Sequence, residues 1–135
     1  MRTQLRRAIE AAFTFPEYTS YCGFIANINA AELRLPCVWM NPLELTGKTG
    51  REEGEMTYAV SLYMMTRQDA WTEERKEKAW TEMEKQTTEA LQRLNEGEVM
   101  ITVNNLKCAP DEYSLTSFGE VSLHVTFIAS IKYPC

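Results

Sequence analysis

The 135 residues fit a single domain, 1–135, with 44% hydrophobic and 24% charged residues and a net charge of −5. Phosphate binding needs clustered cations, and the only local cluster is Arg2, Arg6 and Arg7, so specific nucleic-acid binding is not expected. No run approaches the ~20 apolar residues of a membrane span, the N-terminus lacks a signal peptide's apolar core, and Cys22, Cys37, Cys108 and Cys135 lack zinc-site spacing, so a cytoplasmic chain with free thiols and no cofactor or metal is expected.

Leu5, Ala8, Ile9, Ala12 and Phe13 recur at three- and four-residue steps, which predicts an amphipathic helix over 2–13, ended by Pro16. Strands follow over 20–29, where Gly23 suggests a bulge, and over 35–40, which is an edge strand or begins at Pro36. Residues 43–54, with Gly47, Gly50 and Gly54 among charges, read as a mobile loop with nothing to pack a core. Its glycines fit neither a phosphate-cradling loop nor a dinucleotide fingerprint.

A strong strand over 55–66 puts Met56, Tyr58, Val60, Leu62 and Met64 on one face. Thr72 caps a long helix over 72–95, whose stripe is Trp80, Met83, Thr87, Ala90, Leu91 and Leu94. Gly97 is placed to stop it in a left-handed turn. Residues 98–104 form a strand that Asn104 and Asn105 close, with a weaker extended piece near Tyr113 and Leu115. The last strand, 120–133, alternates most cleanly: Val121, Leu123, Val125, Phe127, Ala129, Ile131 and Tyr133 share one face. The fold class is therefore α+β: a single antiparallel or mixed sheet with the N-terminal and the long helix packed on one face.

No constellation of residues announces chemistry. His124 lies on the polar side of its strand with Ser122 and Thr126 two residues away, but a regular strand offers neither an exposed nucleophile nor an oxyanion hole. The glutamates of the long helix stand among lysines as a solvated face. The chain is accordingly read as non-enzymatic. Two rivals stay open: a binding module with an apolar pocket lined by Tyr58, Tyr63 and Trp80, and a small hydrolase using His124. Trp80 suits the core, while Trp39 and Trp71 flank strand ends, where core and protein contact are equally apt.

The helix 2–13, the segment Leu35-Pro36-Cys37-Val38-Trp39-Met40-Asn41-Pro42, the polar loop 47–54, the strand 58–64, the helix from Thr72 and the closing strand pair follow one another in an order that resembles the tail-terminator, or head-tail joining minor tail, proteins of tailed bacteriophages. The resemblance implies a homo-oligomeric ring, commonly a hexamer, that closes the tail tube and meets other tail or connector proteins. It would assemble in the host cytoplasm and then belong to the virion. The contacts implied are Trp39, Met40, Lys48, Arg51, Glu52 and Glu53, with His124 on the outer face of the last strand. An acidic lumen that does not retain DNA would suit the net charge.

Overall fold

The protein's structure, a computed structural model, describes residues 2–25, 33–51, 53–66, 72–97, 100–111 and 120–133. In chain order these form α1 (Arg2–Ala12), β1 (Thr19–Cys22), β2 (Cys37–Met40), β3 (Glu44–Thr49), β4 (Gly54–Thr66), α2 (Glu73–Asn95), β5 (Ile101–Pro110) and β6 (Val121–Tyr133). The two strongest alternating segments become the two central strands. β4 and β6 pair antiparallel from Gly54↔Tyr133 to Thr66↔Val121. That register aligns their apolar sets, so Tyr58, Val60, Leu62 and Met64 join Val121, Leu123, Val125, Phe127, Ala129 and Ile131 in one core.

Both helices cover this face. Leu5, Ile9 and Ala12 of α1 and Met83, Ala90 and Leu94 of α2 belong to the same core. Phe13 stacks on Phe127 at 6.3 Å. Thr87, fully buried in the α2 stripe, turns its hydroxyl back onto the Met83 carbonyl at 2.9 Å and lies 3.3 Å from Met64 Sδ on β4, so it is satisfied inside the core. Thr72 caps α2 by accepting from the Arg75 N–H, and Glu73 and Glu74 sit at its positive end. Arg93 at the other end donates to the Thr14 carbonyl and lies over the Phe15 ring, joining α2 to the chain leaving α1. Gly97 follows the helix, but its φ is not left-handed; Glu96 forms the cap instead.

The six-stranded sheet runs β1-β2-β4-β6-β5, with β3 also on β4. β1 and β2 are parallel and the remaining pairs antiparallel, so the sheet is mixed. Pro36 precedes β2, which is therefore free to lie inside the sheet between β1 and β4.

Several sequence expectations give way here. The strand expected over 20–29 ends at Cys22, where Gly23 takes φ 138° and bends the chain; 26–29 lie outside the described residues. The expected loop 43–54 contains β3. Residues 37–40 and then 44–49 run antiparallel along one edge of β4, so β2, β3 and β4 make one long hairpin, interrupted at Asn41, Pro42 and Leu43. Leu43, expected to pack nothing, is buried in the core. The strand at Asn104 does not stop either. Asn105 adopts φ 56°, a conformation asparagine tolerates, and the resulting bulge carries β5 on to Pro110. Val99, Tyr113 and Leu115 lie outside the described residues.

Candidate functional site

The second face of the sheet carries no helix among the described residues. Its composition follows from the same alternation that builds the core. Across the middle of β4 it presents Thr57, Ala59, Ser61 and Tyr63, and across β6 Ser130, Ile128, Thr126 and His124, paired in that order. None of these is charged, although charged residues make up 24% of the chain. The charges stand at the margins: Glu55 opposite Lys132 at one end and Lys107 on β5. Thr57 and Ser130 share a cross-strand hydrogen bond at 3.1 Å.

His124 is the chemical centre of this face. The Ile25 N–H donates to Asn41 Oδ1 at 2.8 Å, so the Asn41 amide nitrogen turns to Ser61 Oγ at 3.2 Å. The Ser61 hydroxyl also shares a hydrogen bond with His124 Nε2 at 2.7 Å. Tyr63 stacks against the imidazole, centroids 4.2 Å apart and planes within 4°. Burial lowers the His124 pKa below its ordinary value, Asp111 works against that shift, and Lys107 adds to it.

A serine–histidine pair thus exists, but through Ser61 on the neighbouring strand and not through Ser122 or Thr126. Ser122 instead donates to Asp111 Oδ2 at 2.7 Å. With that oxygen engaged, Asp111 acts on His124 as a nearby charge. β4 and β6 pair without a break along this face, so among the described residues Ser61 and His124 stand on regular strand backbone and not on an exposed turn. Cys22, Cys37 and Cys108 are held as thiols. Burial raises Cys37 to about 12; burial, then the Glu10 hydrogen bond, raises Cys22 to about 11; and burial with the Glu84 charge raises Cys108, so all three are protonated at neutral pH. Among the described residues no group of three or more His, Cys, Asp and Glu side chains gathers to hold a metal, and no helix is long and apolar enough to cross a membrane.

The His124 shift has a pH consequence. The unfolded chain titrates near 6.5 and the folded chain lower. Above 6.5 neither state takes up the proton. Below it the unfolded chain takes it up first, so stability falls until the pH passes through the folded value. His124→Gln keeps a hydrogen-bonding group for Ser61 and removes the titration. Its urea midpoint is expected to fall less between about pH 7.5 and about pH 5 than that of the wild type; equal falls would contradict the buried neutral imidazole.

The residues expected to make contacts fall into two groups. Trp39 and Met40 are only 8% and 5% exposed. Met40 belongs to the helix-side core, while Trp39 packs on the opposite face with Leu33, Cys37 and Met65, stacks on Tyr21 and donates to the Gly23 carbonyl. Both are used within the chain. Lys48, Arg51 and Glu53 are exposed around the hairpin tip, and Glu52 and Trp71 lie outside the described residues. The pocket that the rival binding-module reading needs among Tyr58, Tyr63 and Trp80 does not form. Tyr58 is buried on the helix side and Tyr63 lies on the other face, while Trp80 donates to the Ser122 carbonyl.

Sequence reasoning missed a crevice of about 470 Å³ between α1 and β1, floored by Val38, Met40 and Leu62. A smaller hollow of about 250 Å³ shares Cys22 and Met40 with it and extends past Arg2 and Arg6. The arginine cluster was legible as sequence, but its place on a rim depends on where α1 settles.

No protein-family model matches the chain, and no curated protein does. Among solved structures, a chain from the virion of a native gene transfer agent particle is similar at 11% identity and a TM-score of 0.44, over 96% of this chain and 90% of that one. The core region of PilO from the type IV pilus system of Pseudomonas aeruginosa is similar at 8% identity and a TM-score of 0.42, over 70% and 76%. Neither likeness bears on function, for which the chain's own residues are the guide.

Proposed function

We propose that this chain is a non-enzymatic structural subunit that assembles with copies of itself through the helix-free face of the sheet and its edges. The observation that carries the reading is the uncharged centre of that face, Thr57 to Tyr63 facing His124 to Ser130, bordered by charges. Depletion of charge at the centre with charges at the rim is the composition of a protein contact. The exposed large apolar residues among the described ones add to it: Phe24 follows β1, Leu45 lies on β3, Met100 precedes β5 and Leu106 lies on β5, none of them on a helix.

Size decides how much of the contact this face supplies. With ~3.3 Å per residue and ~4.8 Å between strands, the area over β4, β6 and β5 is on the order of 600 Å². A standard interface takes about 800 Å² per partner. The remainder fits the hairpin tip, where Lys48, Arg51 and Glu53 are exposed. A contact between different patches of neighbouring copies closes into a ring where its rotation divides a full turn. In the form that the sequence resemblance implies, the ring is a hexamer that closes a bacteriophage tail tube and meets connector proteins, assembled in the host cytoplasm and carried in the virion.

Light scattering after size exclusion tests the proposal. A closed ring gives one mass, a fixed multiple of 15.5 kDa, that holds over a wide concentration range. A mass of 15.5 kDa at every concentration, or one that climbs without a plateau, would count against a ring.

A further inference from the structure

We infer that the crevice between α1 and β1 receives an extended acidic and apolar segment of a partner protein, added as a strand on the free edge of β1. This rests on the reading of the chain as an assembly subunit and names the chemistry of one of its partners.

Three independent features meet at this place. The first is backbone. Thr19 N–H donates to Pro36 and Gly23 N–H to Met40, so in this parallel ladder the odd-numbered residues face β2. The N–H and C=O groups of Ser20 and Cys22 therefore point away from the sheet, and β1 has no neighbour on that side among the described residues. The second is an apolar floor. Ser20 and Cys22 are small and exposed, and Val38, Met40 and Leu62, themselves almost wholly covered, line the base of the crevice beside α1.

The third feature is charge. Arg2, Arg6 and Arg7 line the crevice and its extension, in a chain whose net charge is −5. Glu10 is the opposing carboxylate; it is held by Arg6 at 3.6 Å and accepts from the Cys22 thiol. Arg2 donates to the Leu43 carbonyl. The balance of the rim remains cationic and selects a carboxylate. An added strand pairs its main chain with Ser20 and Cys22 and turns alternate side chains under α1. At that two-residue spacing, one apolar side chain lies over the floor and the next on the same face meets the arginines. A free amphipathic carboxylate would share the floor and the rim but make no use of the backbone edge, which is why a protein segment is favoured.

The probe is a blocked peptide of threonines with leucine in second and glutamate in fourth place, compared with its lysine counterpart and followed by amide NMR. The glutamate peptide is expected to shift the Ser20 and Cys22 amides and to bind at least about tenfold tighter than the lysine peptide. Arg6→Glu with Arg7→Glu, both exposed, should reverse that preference. Ser20→Pro removes an N–H that β2 does not use, so the thermal midpoint should stay in place while peptide binding is lost. Absence of saturable binding, equal binding of both peptides, or undiminished binding by Ser20→Pro would overturn the inference. The ring mass is read separately: a ring that ignores the peptide sinks the crevice alone, and a monomer that binds it sinks only the ring.

Discussion

Phe127→Ala is expected to lower stability by about 3–5 kcal/mol. Phe127 is 2% exposed on the central strand β6, pairs with Val60 on β4 and stacks on Phe13 just past α1. Its removal opens a cavity where sheet and helix layer meet, and the neighbours on a thirteen-residue strand paired on both sides cannot collapse into it. The α1 contact should loosen first, since the crevice already leaves that helix short of partners on its β1 side. Urea unfolding with an unchanged m-value checks the figure. A loss under about 1 kcal/mol would mean that the two layers are not held through this residue.

The second large effect is expected at the hairpin tip. Gly50 has φ 76°, and a Cβ there would stand 1.8 Å from the Glu53 carbonyl oxygen, a backbone atom that cannot turn aside. Gly50→Ala is therefore expected to cost about 1–3 kcal/mol and to fray the β3–β4 pairing nearest the tip. Amide exchange should quicken at Lys48 and Met56, which pair there, and stay slow at Val60. Unchanged exchange throughout would restore the loop that the sequence suggests for 43–54.

That loop shows where local reading stops. β4 and β6 announce themselves because one side of each is buried, so burial writes an alternation into the residues. β3 has exposed residues at nearly every position, and an edge strand with both sides wet leaves no such trace. Asn104 and Asn105 signal a turn correctly at the level of one residue's φ, but the strand resumes beyond the bulge, which only pairing with β6 reveals. The parallel β1–β2 pair is hidden for the same reason.

The candidate surface was half legible. The polar sides of β4 and β6 can be written down from the period alone, and His124 stands on one of them. Its partner cannot be, because joining Ser61 to His124 needs the register of two strands 63 residues apart. Trp39 shows the converse: an aromatic residue near a strand end suits a contact or a core, and the Tyr21 stack with the Gly23 hydrogen bond makes it core.

Sedimentation velocity of two charge variants tests most directly whether the helix-free face is the contact surface. Ile128→Lys puts an ammonium in the centre of that face, whereas Glu89→Lys changes charge on the exposed side of α2. The predicted result is that Ile128→Lys sediments as a folded 15.5 kDa monomer while Glu89→Lys keeps the wild-type assembly. Assembly that survives Ile128→Lys, or that is lost only with Glu89→Lys, would contradict it.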